Sequence, residues 1–124
     1  MTQDTKLSWA QFPHFKQTEF ACKDNCGFMD VNLQLVAILE KIRAHFGGKP
    51  VIITSGCRCV RHNNKVRTES NGSAHLAGKG ADFYLKGVST QNLLNYTTKL
   101  MHEGIIKYTY TNNKNMKGVV HINI

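Results

Sequence analysis

Two short stretches of strict alternation limit what this chain can fold into. In residues 81–85, Ala81, Phe83 and Leu85 fall on one side of an extended backbone, with Asp82 and Tyr84 on the other. In residues 119–124, Val120, Ile122 and Ile124 share one side, and His121 and Asn123 the other. Each pattern predicts a strand with one face on a core and a polar face turned away from it. A carboxylate and an imidazole standing among apolar neighbours then need partners, because a buried charge must be paired or coordinated.

The rest of the chain supplies what such strands pack against. Leu35, Ile38, Leu39, Ile42 and Phe46 recur at three-to-four spacing between a candidate cap at Asp30 and Gly47-Gly48, which predicts an amphipathic helix. A second helix is expected over residues 90–103, capped by Ser89 or Thr90, with Leu93, Leu94, Leu100 and Met101 inward and Gly104 as its stop. The β-branched run Pro50-Val-Ile-Ile-Thr54 suits a buried strand. Residues 105–111 and 119–124 read as two more, joined by the polar turn Asn112-Asn-Lys-Asn115. The expected fold is α+β: a small antiparallel sheet packed on helices on one side, with a site on its open face.

At 124 residues there is room for one domain and one core. We expect a single domain over 1–124, its first 29 residues forming an irregular wrap that lends Trp9, Phe12, Phe15, Phe20 and Phe28 to the core. No stretch approaches the roughly 20 apolar residues that cross a bilayer, so a membrane protein is not expected. The amino terminus shows no basic-then-apolar secretory leader, which predicts synthesis in the cytoplasm and some other route to any target outside it. Sixteen Lys and Arg against eight Asp and Glu give a net charge of +8, which draws the chain toward polyanions. The basic residues are dispersed, the closest group being Arg58, Arg61, His62, Lys65 and Arg67, and no motif for reading DNA or stacking on RNA accompanies them. No specific nucleic-acid partner is expected.

Residues 57–80 are polar and glycine-punctuated, a long loop of the kind that usually carries function. This loop holds His75, seven residues before Asp82. If the strands bearing Asp82 and His121 share a sheet, both emerge from one face and the loop can bring His75 over them. Two imidazoles and one carboxylate suit zinc, and three protein ligands leave a fourth position open, the catalytic rather than the structural arrangement.

Ser73-Ala-His75-Leu-Ala-Gly78-Lys-Gly80-Ala-Asp82 resembles the S-x-H-x-x-G-x-A-x-D signature of the zinc D-Ala-D-Ala carboxypeptidase and L-Ala-D-Glu endopeptidase family, which shares its fold with the hedgehog amino-terminal domain. Ile53-Thr-Ser-Gly56-x-Arg58 followed by His62-Asn63 looks like the family's S-G-Y-R…N segment, and Val119-Val-His121 like its terminal metal-histidine strand. The resemblance runs from about residue 18 to 124 in the family's order. It implies zinc held by His75, Asp82 and His121, with Ser73 shaping the ligand loop. It implies that Arg58 faces substrate, offering donors to a scissile carbonyl oxygen or a carboxylate.

The sequence also departs from the pattern. Gly80 replaces the signature alanine and Cys57 a frequent tyrosine. Asn123 stands where many relatives have Asp or His, and Gly118 where others carry the catalytic acid. With Asp82 assigned to metal, Glu69 is the better remaining proton carrier and His62 the next. Cys22, Cys26, Cys57 and Cys59 fit a second, structural zinc, two disulfides worth about 2–4 kcal/mol each, or reduced thiols.

The resemblance therefore implies a zinc peptidase that hydrolyses peptidoglycan, as a D,D-carboxypeptidase or an L-Ala-D-Glu endopeptidase. The alternative is an inactive, zinc-containing cell-wall-binding module of the same fold. A short basic chain without a leader also resembles phage endolysins, which implies action on peptidoglycan peptides at the bacterial wall; the chain is expected to be a monomer.

Overall fold

Asn32, rather than Asp30, opens the first helix. Its side-chain oxygen accepts from the Gln34 amide at 2.8 Å, pairing one of the donors that a helix start leaves without a partner. Asp30 lies outside the residues described by this computed structural model, which are 8–21, 31–56, 78–111 and 118–124. Helix α1, Leu33–His45, buries Leu35, Val36, Leu39 and Ile42. It stops where Gly47 and Gly48 take positive φ and the Gly48 amide turns back to the Arg43 carbonyl at 2.9 Å, a closure that glycine makes with least strain.

Helix α2, Thr90–His102, is built the same way. The Ser89 hydroxyl accepts from the Asn92 amide at 3.1 Å, and Gly104 ends the helix at φ 77° while Ile105 donates to the Leu100 carbonyl at 2.9 Å. That closure shortens the strand expected over 105–111. The amides of Ile105 and Ile106 both turn to Leu100, Ile106 plugs into the core, and extended pairing begins only at Tyr108.

Four strands, β1 (Val51–Ser55), β2 (Gly80–Leu85), β3 (Tyr108–Tyr110) and β4 (Val120–Asn123), form one antiparallel sheet in the order β1-β2-β4-β3. Strand β1 lies at an edge and buries only Val51 fully, so it is a half-buried edge strand and not the buried one predicted. Ala81, Phe83 and Leu85 of β2 and Val120 and Ile122 of β4 face the helices in a single apolar cluster. Each large side chain fully buried there contributes about 1.5–3 kcal/mol. The domain is α+β, with two helices and a four-stranded sheet among the described residues. No helix among them is long and apolar enough to cross a membrane.

The amino-terminal wrap is more ordered than expected, with 3-10 turns at Trp9–Gln11 and Gln17–Phe20. Phe12, Phe15 and Phe20 are buried, and Phe20 sits between Trp9 and Phe15 at ring distances of 6.0 and 6.1 Å. Phe28 is outside the described residues. The wrap presses on the end of β1 at Gly56, where a side-chain carbon would stand 2.7 Å from Phe20 Cα and 2.8 Å from its carbonyl oxygen. Backbone lies on backbone there, and only hydrogen fits between.

A second link joins α2 to the far edge of the sheet. The Thr97 and Thr109 hydroxyls meet at 2.9 Å in the core, and Thr109 Oγ1 lies 2.9 Å from the main-chain oxygen of His121.

Two stability outcomes are expected. Gly56→Ala forces the wrap away from β1 and lowers the unfolding free energy by about 1–3 kcal/mol. Thr109→Val removes the hydroxyl that reaches both Thr97 Oγ1 and the His121 carbonyl in the core and costs about 1–2 kcal/mol. Urea unfolding of both variants beside the unsubstituted chain measures each.

Candidate metal centre

The pairing of β2 with β4 sets Asp82 directly opposite His121. Because neighbouring Phe83 and Val120 also pair and must face the core, the two polar side chains point together to the open face. His121 Nδ1 and Asp82 Oδ1 are 2.8 Å apart, and the side chains are only 8% and 13% exposed. On the other side of the ring, His121 Nε2 is 2.8 Å from Asn123 Oδ1, two residues along the same strand face.

Two further contacts hold the imidazole. Tyr110, the partner of His121 in β3, sets its ring 5.1 Å from the imidazole at a tilt of 39°. The main chain beneath is tied through Thr109. At the opposite edge a bulge between Ile53 and Ser55 brings Ser55 opposite Asp82, and the Thr54 hydroxyl donates to the Asp82 carbonyl at 3.1 Å. Asp82 is thus fixed through its backbone on both sides.

The chemistry of this donor set suits a divalent cation. One carboxylate oxygen and one imidazole nitrogen converge in a mostly water-free position, and both are ordinary zinc donors. Among the described residues no three His, Cys, Asp or Glu side chains gather as a full set. The third expected ligand, His75, lies outside them, as do Arg58, Glu69, Ser73, Cys22, Cys26, Cys57 and Cys59.

The other described acidic residues lie on helical elements or at their ends. Glu19 accepts from the Lys16 amide at 2.7 Å, Glu40 pairs with His14 at 3.0 Å, and Glu103 closes α2. None of these three stands on the sheet. The sequence alone does not single out Tyr110 or Thr109. Their alternation with Tyr108 was a signal, but its register against His121 was not readable from three residues.

A profile of the Peptidase M15 family matches residues 13–123. Among curated proteins, the chain is similar to the Peptidoglycan L,D-endopeptidase MepK of Escherichia coli (strain K12), with 31% identity over 68 residues covering 52% of this chain and 37% of that protein. The protein of the same name in Shigella flexneri matches to the same extent. The aligned stretch is thus little more than a third of these relatives' length. No solved structure matches. Since the profile takes in both helices and all four strands of the sheet, the chain belongs to the M15 peptidase family.

Proposed function

We propose that this chain is a zinc-dependent peptidoglycan peptidase, a single domain whose metal is held by His75, Asp82 and His121 on the open face of the sheet. The observation that carries the reading is the cross-strand pair, a carboxylate and an imidazole converging at 2.8 Å on the non-core face. Membership of a peptidase family supports it. Zinc bound there supplies Lewis acidity, which activates water and polarises the scissile carbonyl.

The chain's own residues do the rest. Asp82 and His121 are pre-positioned by strand register, so little ordering remains when substrate binds. Arg58 donates to the substrate carbonyl oxygen or carboxylate, Ser73 shapes the loop that carries His75, and Glu69 moves the proton. Of the two bond types, the similarity to proteins named L,D-endopeptidase favours the L,D linkage over D,D-carboxypeptidase action. The site of action is the bacterial cell wall, reached in the manner of an endolysin, with peptidoglycan peptides as partners and no specific nucleic acid.

One observation favours a second reading, a metal-containing module that binds wall peptides without cutting them. Among the described residues no carboxylate besides Asp82 stands on the sheet to move a proton. Turnover then depends on Glu69.

Purified stem peptides containing L- and D-residues, incubated with the zinc-loaded protein, are expected to yield new amino termini by mass spectrometry. A chelator abolishes cleavage and added zinc restores it. His75→Ala, Asp82→Ala and His121→Ala each fall to the uncatalysed baseline, and Glu69→Gln loses turnover while still binding peptide. Metal analysis should give one zinc per chain, or two if the four cysteines hold another, the second being lost in Cys22→Ser. Binding without turnover favours the module, and cleavage by metal-free protein overturns the zinc reading.

A further inference from the structure

We propose that Asn123 is a positioning residue: by accepting the Nε2 hydrogen of His121 it turns the Nδ1 lone pair toward Asp82, and so selects the nitrogen that binds metal. The inference rests on the zinc reading above and adds to it the device that sets the ligand's tautomer.

His121 meets an oxygen at each end of its ring, Asp82 Oδ1 at Nδ1 and Asn123 Oδ1 at Nε2, both at 2.8 Å. A neutral imidazole has one N–H, so it donates to only one of them. The other nitrogen presents a lone pair to an oxygen lone pair, an arrangement that a shared cation resolves. The two oxygens are not equivalent. Without metal the Asp82 carboxylate is the stronger acceptor and draws the hydrogen to Nδ1, whereas with a cation on Asp82 and Nδ1 the neutral Asn123 oxygen is the acceptor left for it at Nε2. With the hydrogen on Nε2, the two lone pairs that converge are those of His121 Nδ1 and Asp82, which is where a cation is wanted. Were the Asn123 amide reversed, its NH2 would donate to Nε2 and place the hydrogen on Nδ1, closing the site.

The strand builds this device from its own period. Residues 121 and 123 lie on the same face of β4, so the ring that reaches across to β2 also reaches along its own strand. Tyr110 against the ring and Thr109 beneath the main chain hold the imidazole at the distance both contacts need. Asn123 therefore has a use that does not involve moving a proton.

Zinc affinity measured by competition with a chromophoric chelator tests this, on the full chain and its variants His121→Ala, Asn123→Ala and Asn123→Asp, with thermal unfolding of each metal-free protein as the fold control. Asn123→Ala should bind zinc about tenfold to a hundredfold more weakly, the usual effect of removing a partner that orients a metal ligand. Asn123→Asp, an acceptor that cannot be reversed, should bind within about threefold of the unsubstituted chain or more tightly. Nitrogen NMR of the His121 ring in the zinc-loaded, unsubstituted protein should find the hydrogen on Nε2. Asn123→Ala binding as tightly as the unsubstituted chain, Asn123→Asp as weak as Asn123→Ala, or the hydrogen on Nδ1 each overturns the proposal while leaving the zinc site standing. Undiminished zinc binding in His121→Ala overturns the zinc reading itself, and this inference with it.

Discussion

The register between β2 and β4 is the constraint on which the site depends. Residue 82 stands opposite 121 because Phe83 stands opposite Val120 and Ala81 opposite Ile122, and these four are fully buried. A slip of one residue by either strand would turn that strand's apolar side chains to water and send its polar residue, Asp82 or His121, into the core. Each large side chain so exposed costs about 1.5–3 kcal/mol, and the polar residue would add its own desolvation penalty. The geometry of the polar face is therefore enforced by the apolar face, and the pair needs no loop to hold it.

That arrangement also sets the electrostatic character of the centre. Asp82 and His121 are mostly out of water, with an aromatic ring on one flank, so their interaction is stronger than it would be at the surface. Two buried groups that share a contact contribute little net stability, since desolvation offsets attraction. Their value lies in being held together in advance. The surrounding +8 charge acts at longer range, favouring encounter with anionic polymers without choosing among them.

Much of this was legible in the sequence, and the rest was hidden for identifiable reasons. Period-two alternation placed Asp82 and His121 on one face because one face of each strand is core. Ser89 and Gly104 marked the limits of α2 because caps are local chemistry. The α1 cap lies two residues beyond the sequence expectation, since Asp30 and Asn32 are both good cap residues and only the bond from Gln34 to Asn32 separates them. Strand β3 is shorter than its sequence pattern suggests because the backward turn of Ile105 and Ile106 onto Leu100 replaces strand pairing that their β-branched side chains would suit. The Thr97–Thr109 contact and the Tyr110 flank join residues 12 and 11 apart in sequence, through helix docking and strand register that no short window contains. His75, Arg58, Glu69 and Ser73 remain readings of the sequence and its family.

The close approach of Gly56 to Phe20 has a counterpart at Gly78, whose carbonyl accepts from the Asn32 amide at 2.8 Å. The chain leaves the sheet at one point fastened to the amino-terminal wrap and returns at another fastened to the start of α1. Strand β1 therefore stops, and β2 starts, at points clamped to other parts of the chain, so the Asp82–His121 pair sits on a frame whose anchors come from separate stretches of sequence.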